Sequence, residues 1–295
     1  MSTLPPLLDP QLLSRLEQLE IISKKMLNGR MKGERLSRRK GNSSEFADFR
    51  NYVIGDDLRF LDWNLYARLE KLFLRIFFEE EDLHFTILID NSASMDTGDP
   101  HKFHYARQIA AALGYIGLCN LDRVQIMPFH GTSAAHSPHF RGKKSLSRML
   151  QSIDELSISN ISDFSDAMRN YTLRATGKGV VVIVSDFLDK SGYEKGFRDL
   201  IARNLDIYAI QVLSPEEVNP ALVGDLKLVD CEDGDTTEIT ISAPLLARYQ
   251  STLAAFRRQL AEFCTRRGIA YLFTTSAVPF DRLVLNYLRQ RGLVR

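Results

Sequence analysis

The 295-residue sequence predicts an α/β fold: a doubly wound, mainly parallel sheet with helices on both faces, one antiparallel edge strand, an N-terminal extension and an inserted β-hairpin. Three observations carry that expectation. From residue 85 onward, short runs rich in Val, Ile, Leu and Phe alternate with longer amphipathic stretches, as strands joined by crossover helices do. The run from Val180 to Val184 is wholly apolar, which suits a parallel strand covered on both sides. A content of 44% hydrophobic residues is ample for a packed core.

The extension covers residues 1–82. Leu12, Leu13, Leu16, Leu19, Ile22 and Met26 recur at three- and four-residue spacings, so residues 10–28 are expected to form an amphipathic helix. Its apolar stripe either packs on the body or binds a partner. Arg30, Lys32, Arg35, Arg38, Arg39 and Lys40 then crowd an exposed Gly-containing loop or short hairpin. Such a run is either a solvated basic loop or a phosphate-binding patch for nucleic acid. Gly55-Asp56-Asp57 reads as a turn, and residues 71–79 as a strand.

Residues 83–295 carry the alternation. Candidate strands are 85–90, 123–129, 179–185, 206–213 and 269–274. Candidate helices are 102–118, 144–155, 163–174, 190–203, 244–267 and 279–291. Residues 131–140 follow their strand almost at once, which fits a short antiparallel edge strand, and the Asp-Gly signal within 226–241 fits an inserted hairpin.

Composition narrows the function classes. A formal net charge of +1 gives no global field toward nucleic acid or an anionic membrane. Cys119, Cys231 and Cys264 lie far apart without a CxxC pair, so reduced thiols are expected rather than a zinc site or disulfides. There is no signal-peptide layout, and no stretch reaches the roughly 18 apolar residues a membrane span needs, so a cytoplasmic protein without direct membrane insertion is expected.

In an open α/β sheet, ligands bind at the carboxyl ends of the strands. Asp90, Ser92 and Ser94 follow the first core strand, and alternate side chains of an extended segment can converge. Ser185 and Asp186 end a later strand, while Ser162 and Asp163 open the helix before it. Asp90, Ser92, Ser94, Ser162 and Asp186 make an oxygen-only set suited to a hard divalent cation: Mg²⁺, with Mn²⁺ or Ca²⁺ as alternatives. Independent helix caps and turns are the competing explanation for the same residues.

The enzyme readings each lack a part. A hydrolase acting through Ser92 or Ser94 would need a G-x-S-x-G elbow, which residues 90–94 do not form, and in the usual chain order a histidine beyond residue 139, where none occurs. A phosphate-accepting Asp90 would want a second acid where Ser92 stands. Neither a P-loop nor a G-x-G-x-x-G run is present. The pairs His136 and His139, or His101 and His104, lack a convincing third metal ligand. A non-enzymatic role is therefore expected, with the serine hydrolase and nucleic-acid binding through residues 30–40 as alternatives.

Asp-x-Ser-x-Ser at residues 90–94, completed by Asp186, resembles the metal-ion-dependent adhesion site of von Willebrand factor A-like domains, a Rossmann-type fold, over about residues 83–213. The resemblance implies that Asp90, Ser92 and Ser94 form the first ligand loop and Asp186 the third. The second loop supplies a Thr in that family, and Ser162 in "NISDF" takes its place here. Upstream, "EFADFRNYVIGDDLRFLDWNLYAR" resembles the signature of a bacterial family labelled domain of unknown function number fifty-eight, through Arg50, Tyr52, Gly55, Asp56, Arg59, Asp62, Trp63 and Arg68. That resemblance runs from about residue 33 to the C-terminus. It implies a protein-interaction module, partner or adaptor of a MoxR-type AAA+ ATPase in a chaperone-like or maturation system, with other von Willebrand factor A-like proteins as further partners. It implies no role for "GDDLRFLDW". On physical grounds Asp56, Arg59, Asp62 and Arg68 are expected to form an ion-pair network tying this segment to the core, with Trp63 buried.

Overall fold

The computed structural model describes residues 7–19, 21, 46–77, 83–130, 137–159, 163–175, 179–221, 224–229, 234–287, 289 and 292–294. The basic run at 30–40 lies outside them. The chain divides into two compact units, Met1–Lys24 with Leu83–Arg295, and Lys25–Asp82. In chain order the first elements are α1 (Pro10–Leu16), β1 (Phe46–Asn51), α2 (Trp63–Leu69), β2 (Phe73–Phe77), β3 (His84–Ile89) and α3 (Lys102–Cys119). There follow β4 (Arg123–Pro128), β5 (His139–Phe140), α4 (Leu146–Asp154), α5 (Phe164–Arg174), β6 (Gly179–Ser185), α6 (Glu194–Ala202) and β7 (Asp206–Leu213). The last are α7 (Pro215–Val218), β8 (Gly224–Val229), β9 (Thr236–Ile241), α8 (Ala243–Arg266), β10 (Ala270–Thr275) and α9 (Phe280–Arg282).

The larger unit is a mixed α/β structure around a six-stranded sheet of order β10-β7-β6-β3-β4-β5. All neighbours pair in parallel except the short edge strand β5, which runs antiparallel to β4. The chain moves from β3 outward to β4 and then returns to β6 on the other side of β3. That reversal opens a crevice beyond the carboxyl ends of β3 and β6, where ligands of open α/β sheets bind. The register sets Ile89 opposite both Val184 and Pro128. Gly179 makes the start of this pairing feasible, since a Cβ there would lie 2.0 Å from the His84 carbonyl oxygen.

Alternate side chains of the strands feed two apolar layers. Phe85, Ile87, Ile89, Val180, Val182 and Val184 face a layer closed by α1, α3 and α4. Leu88, Val181, Ile183, Ile207 and Ala209 face a layer closed by α5, α6 and α8. Helix α3 is buried along almost its whole length, because α1 and α4 cover the side that the sheet does not.

The N-terminal stripe packs on this body. Leu12, Leu16 and Leu19 are buried in the α3 layer, Tyr115 donates from its hydroxyl to the Glu17 carboxylate at 2.5 Å, and Asn120 Nδ2 donates to the Leu19 carbonyl at 2.9 Å. The helix is shorter than its spacing predicts. It stops at Leu16; Ile21 forms an antiparallel bridge to Val294, and residues 22–28, with Ile22 and Met26 of the stripe, lie outside the described residues. The helix expected over 279–291 starts as α9 and continues as a π-helical turn at Leu283–Tyr287, with residue 289 helical again and 288, 290 and 291 outside the described residues. The expected hairpin forms as β8 and β9, with Gly224 opposite Ile241. Among the described residues no helix is long and apolar enough to cross a membrane.

The smaller unit is an antiparallel pair, β1 and β2, with a turn and α2 between them. Asp56 shapes the turn, accepting from the Val53 amide at 2.9 Å and pairing with Arg50 at 2.8 Å, while Gly55 takes the positive φ of 103°. Asp62 caps α2 by accepting from the amides of Asn64 and Leu65, both at 2.9 Å. One expectation is corrected here. Trp63 is 62% exposed, because it opens α2 on the solvent side and meets Tyr66 edge-on, ring centroids 6.3 Å apart. Within this unit Arg59 joins Asp57 at 2.8 Å, and Arg75 lies 3.8 Å from Asp62.

Candidate functional site

Strand β3 hands over to the site at Asp90, whose amide still donates to the Val184 carbonyl at 2.9 Å. Beyond it the chain turns through a single 3₁₀ turn at Ala93–Met95. This bends Asp90, Ser92 and Ser94 together. The Ser92 amide donates to Asp90 Oδ1 at 2.9 Å, and the Ser92 and Ser94 hydroxyl oxygens stand 3.0 Å apart. From the neighbouring strand, Ser185 Oγ donates to Asp90 Oδ2 at 2.5 Å. Asp186 follows directly, with Oδ1 accepting from the Leu188 amide at 3.1 Å and its carbonyl held by Gln211 Nε2 at 2.8 Å.

Asn91 fastens the loop from behind. Its Nδ2 donates to the carbonyls of His130 at 3.2 Å and Ser157 at 2.9 Å, its Oδ1 accepts from the His130 amide at 3.1 Å, and its carbonyl accepts from the Ser159 amide at 2.7 Å. Ser92 and Ser159 thereby form a parallel bridge. The chain then passes through residues 160–162, so Ser162 lies outside the described residues. Asp163 caps α5, accepting from the Asp166 amide at 2.9 Å, while its own amide donates to His130 Nε2 at 3.2 Å. His101 is the N-cap of α3 and His139 lies in β5, which are structural positions; His136 is outside the described residues.

Electrostatics single out Asp90. Burial, and then the charge of Asp186, push its carboxyl up to about 6, against the hydrogen bonds from Ser185 and Ser92. The donors to Asp90 among these contacts are neutral, so a buried carboxylate stands beside a second one with two hydroxyls at hand. This oxygen set fits a hard divalent cation, and Asp90, Ser92, Ser94 and Asp186 are the described residues that could hold one. No group of three or more His, Cys, Asp or Glu is gathered for a metal among the described residues, so such a site would depend on its hydroxyls.

The structure also places a residue that sequence reasoning missed. Lys102, the first residue of α3, is 0% exposed, with its ammonium 3.1 Å from Asp186 Oδ2 and 2.6 Å from Glu217 Oε1. Burial opposes its charge, but Asp186 and Glu217 outweigh that and hold its pKa above the ordinary lysine range. One signal was available: Lys102 stands at the N-terminal end of the helix, where the dipole disfavours a cation.

A mostly parallel sheet with polar side chains converging beyond its carboxyl edge defines the class of structure. The chain belongs to the family described as "Protein of unknown function DUF58", whose model matches residues 48–259. Among its relatives is the uncharacterised protein Mb1516 of Mycobacterium bovis, 30% identical over 268 residues, a match covering 88% of this chain and 83% of the relative. The uncharacterised protein MAV169 of Mycobacterium avium is 36% identical over 126 residues, covering 43% of this chain and 72% of that one. Similar solved structures include the conserved hypothetical protein BatB from Bacteroides thetaiotaomicron, at a TM-score of 0.41 and 12% identity, covering 71% of this chain and 98% of that one. An aerotolerance-related membrane protein from Bacteroides fragilis matches at a TM-score of 0.44 and 14% identity, with the same coverages of 71% and 98%.

Proposed function

We propose that the chain is a von Willebrand factor A-like protein-interaction module that holds a divalent cation, Mg²⁺ foremost, at the carboxyl edge of its sheet and uses it to engage an acidic side chain of a partner. One observation carries the reading: Asp90 and Asp186 leave adjacent parallel strands into the same buried spot, where the Ser92 and Ser94 hydroxyls face each other at 3.0 Å. The bound cation would supply attraction for an anionic oxygen. The chain's own part is to preform the cradle: the Ser92 amide and the Ser185 hydroxyl fix both oxygens of Asp90, and Asn91 pins the loop to its neighbours.

The partner proposed is a MoxR-type AAA+ ATPase in the cytoplasm, with the chain as its adaptor and not as an enzyme. The test is binding of the full chain to a MoxR-type ATPase of the same organism, measured in MgCl₂, in EDTA and with Asp90→Ala. Affinity should fall at least about tenfold in EDTA and in the variant, the scale of a single charge-assisted contact. Equal affinity under all three conditions refutes the metal-bridged mechanism.

A further inference from the structure

The metal reading leaves Lys102 unexplained, and its setting is costly enough to need a cause. A fully buried ammonium has lost its water, and at the first position of an 18-residue helix it also meets the unfavourable end of the dipole. It is held there by two carboxylates, and both are fixed from elsewhere. Glu217 is tied down as half of a capping box, its Oε2 accepting from the Ser214 amide at 2.7 Å. Asp186 is anchored through its other oxygen by the Leu188 amide. The ammonium is therefore shared between two stationary acids, one of which belongs to the proposed cation site.

We propose that Lys102 is the built-in counter-ion of this site, holding Asp186 in place in the absence of metal and keeping the affinity for a divalent cation low. The proposal rests on the metal reading above. Asp186 and Glu217 hold the ammonium and Asp90 stands beside Asp186, so three carboxylates against one ammonium leave two negative charges for a divalent ion to balance. Any such ion must share Asp186 with Lys102 and sit near a like charge, which weakens its hold. A carboxylate brought by a partner offsets that repulsion, so cation and acidic partner bind each other's complex more tightly than either binds alone.

The two neighbours of the ammonium give tests of opposite sign. In titrations of the full chain with MnCl₂ followed by calorimetry, Lys102→Met, which keeps an unbranched stem without charge, should bind Mn²⁺ at least about tenfold more tightly than the native chain. Glu217→Gln, which leaves the ammonium to Asp186 alone, should bind it several-fold more weakly. A merely structural Lys102 would make both variants weaker or leave both unchanged, and either result overturns the proposal. Should Lys102→Met lose its native circular dichroism, Glu217→Gln decides by itself, since unchanged or tighter binding there also overturns it. If the native chain and both folded variants take up no Mn²⁺, the metal reading itself falls, a result distinct from a native chain that binds without responding to Lys102.

Discussion

Asn91 shows how much of the site is held by side chains that would touch no ligand. It is buried and uses both ends of its amide to join the β3 loop to His130 and Ser157. Asn91→Ala leaves those backbone groups unpaired, and the expected loss is about 2–3 kcal/mol, read from the urea midpoint. Asp90 behaves oppositely when no metal is present. Its carboxyl is raised from 3.8 to about 6, so its contribution to stability is full below pH 3.8 and is lost as pH rises through about 6. In EDTA, Asp90→Asn should therefore gain stability relative to the native chain as pH rises through about 6, with the difference closing toward pH 4. A difference that does not change with pH would contradict the buried, strained carboxylate.

Secondary elements were largely legible in the sequence where hydrophobic period and burial agree. The strands β3, β4, β6, β7 and β10 lie within a residue or so of their expected bounds, because each is an apolar run between helices. Helix α1 ends at Leu16 although Leu19 is buried as the spacing implies, because a turn can bury that side chain as a helix would; Ile22 and Met26 lie outside the described residues. Trp63 misled in another way, since a large apolar side chain is not obliged to be inside. Of the site, Asp90, Ser92, Ser94 and Asp186 could be found from alternation and strand ends. Lys102 and Glu217 could not be paired, since 115 residues separate them and only the folded chain brings them together. The packing of α1 is testable: Leu16, 0% exposed, should cost about 3 kcal/mol as Leu16→Ala in chemical denaturation. A loss below ~1 kcal/mol would mean that α1 is only loosely applied.

Across the whole molecule, a cation at the edge of β3 and β6 would link parts of the chain that are remote in sequence. At a hundredfold excess over its dissociation constant such a ligand adds about 2.7 kcal/mol, which for a domain of this size raises the thermal midpoint by roughly 5–10 °C. MgCl₂ should produce that rise in the native chain and none in Asp90→Ala, as followed by calorimetry. The sheet register adds a consequence in time. Asp90 and Ser185 are 95 residues apart and meet only when β6 has docked along β3 with Val184 opposite Ile89. Such a long closure comes late on a folding route. A nascent chain emerging from the ribosome therefore carries no finished site until more than half of it has been synthesised and its two middle strands have found their register.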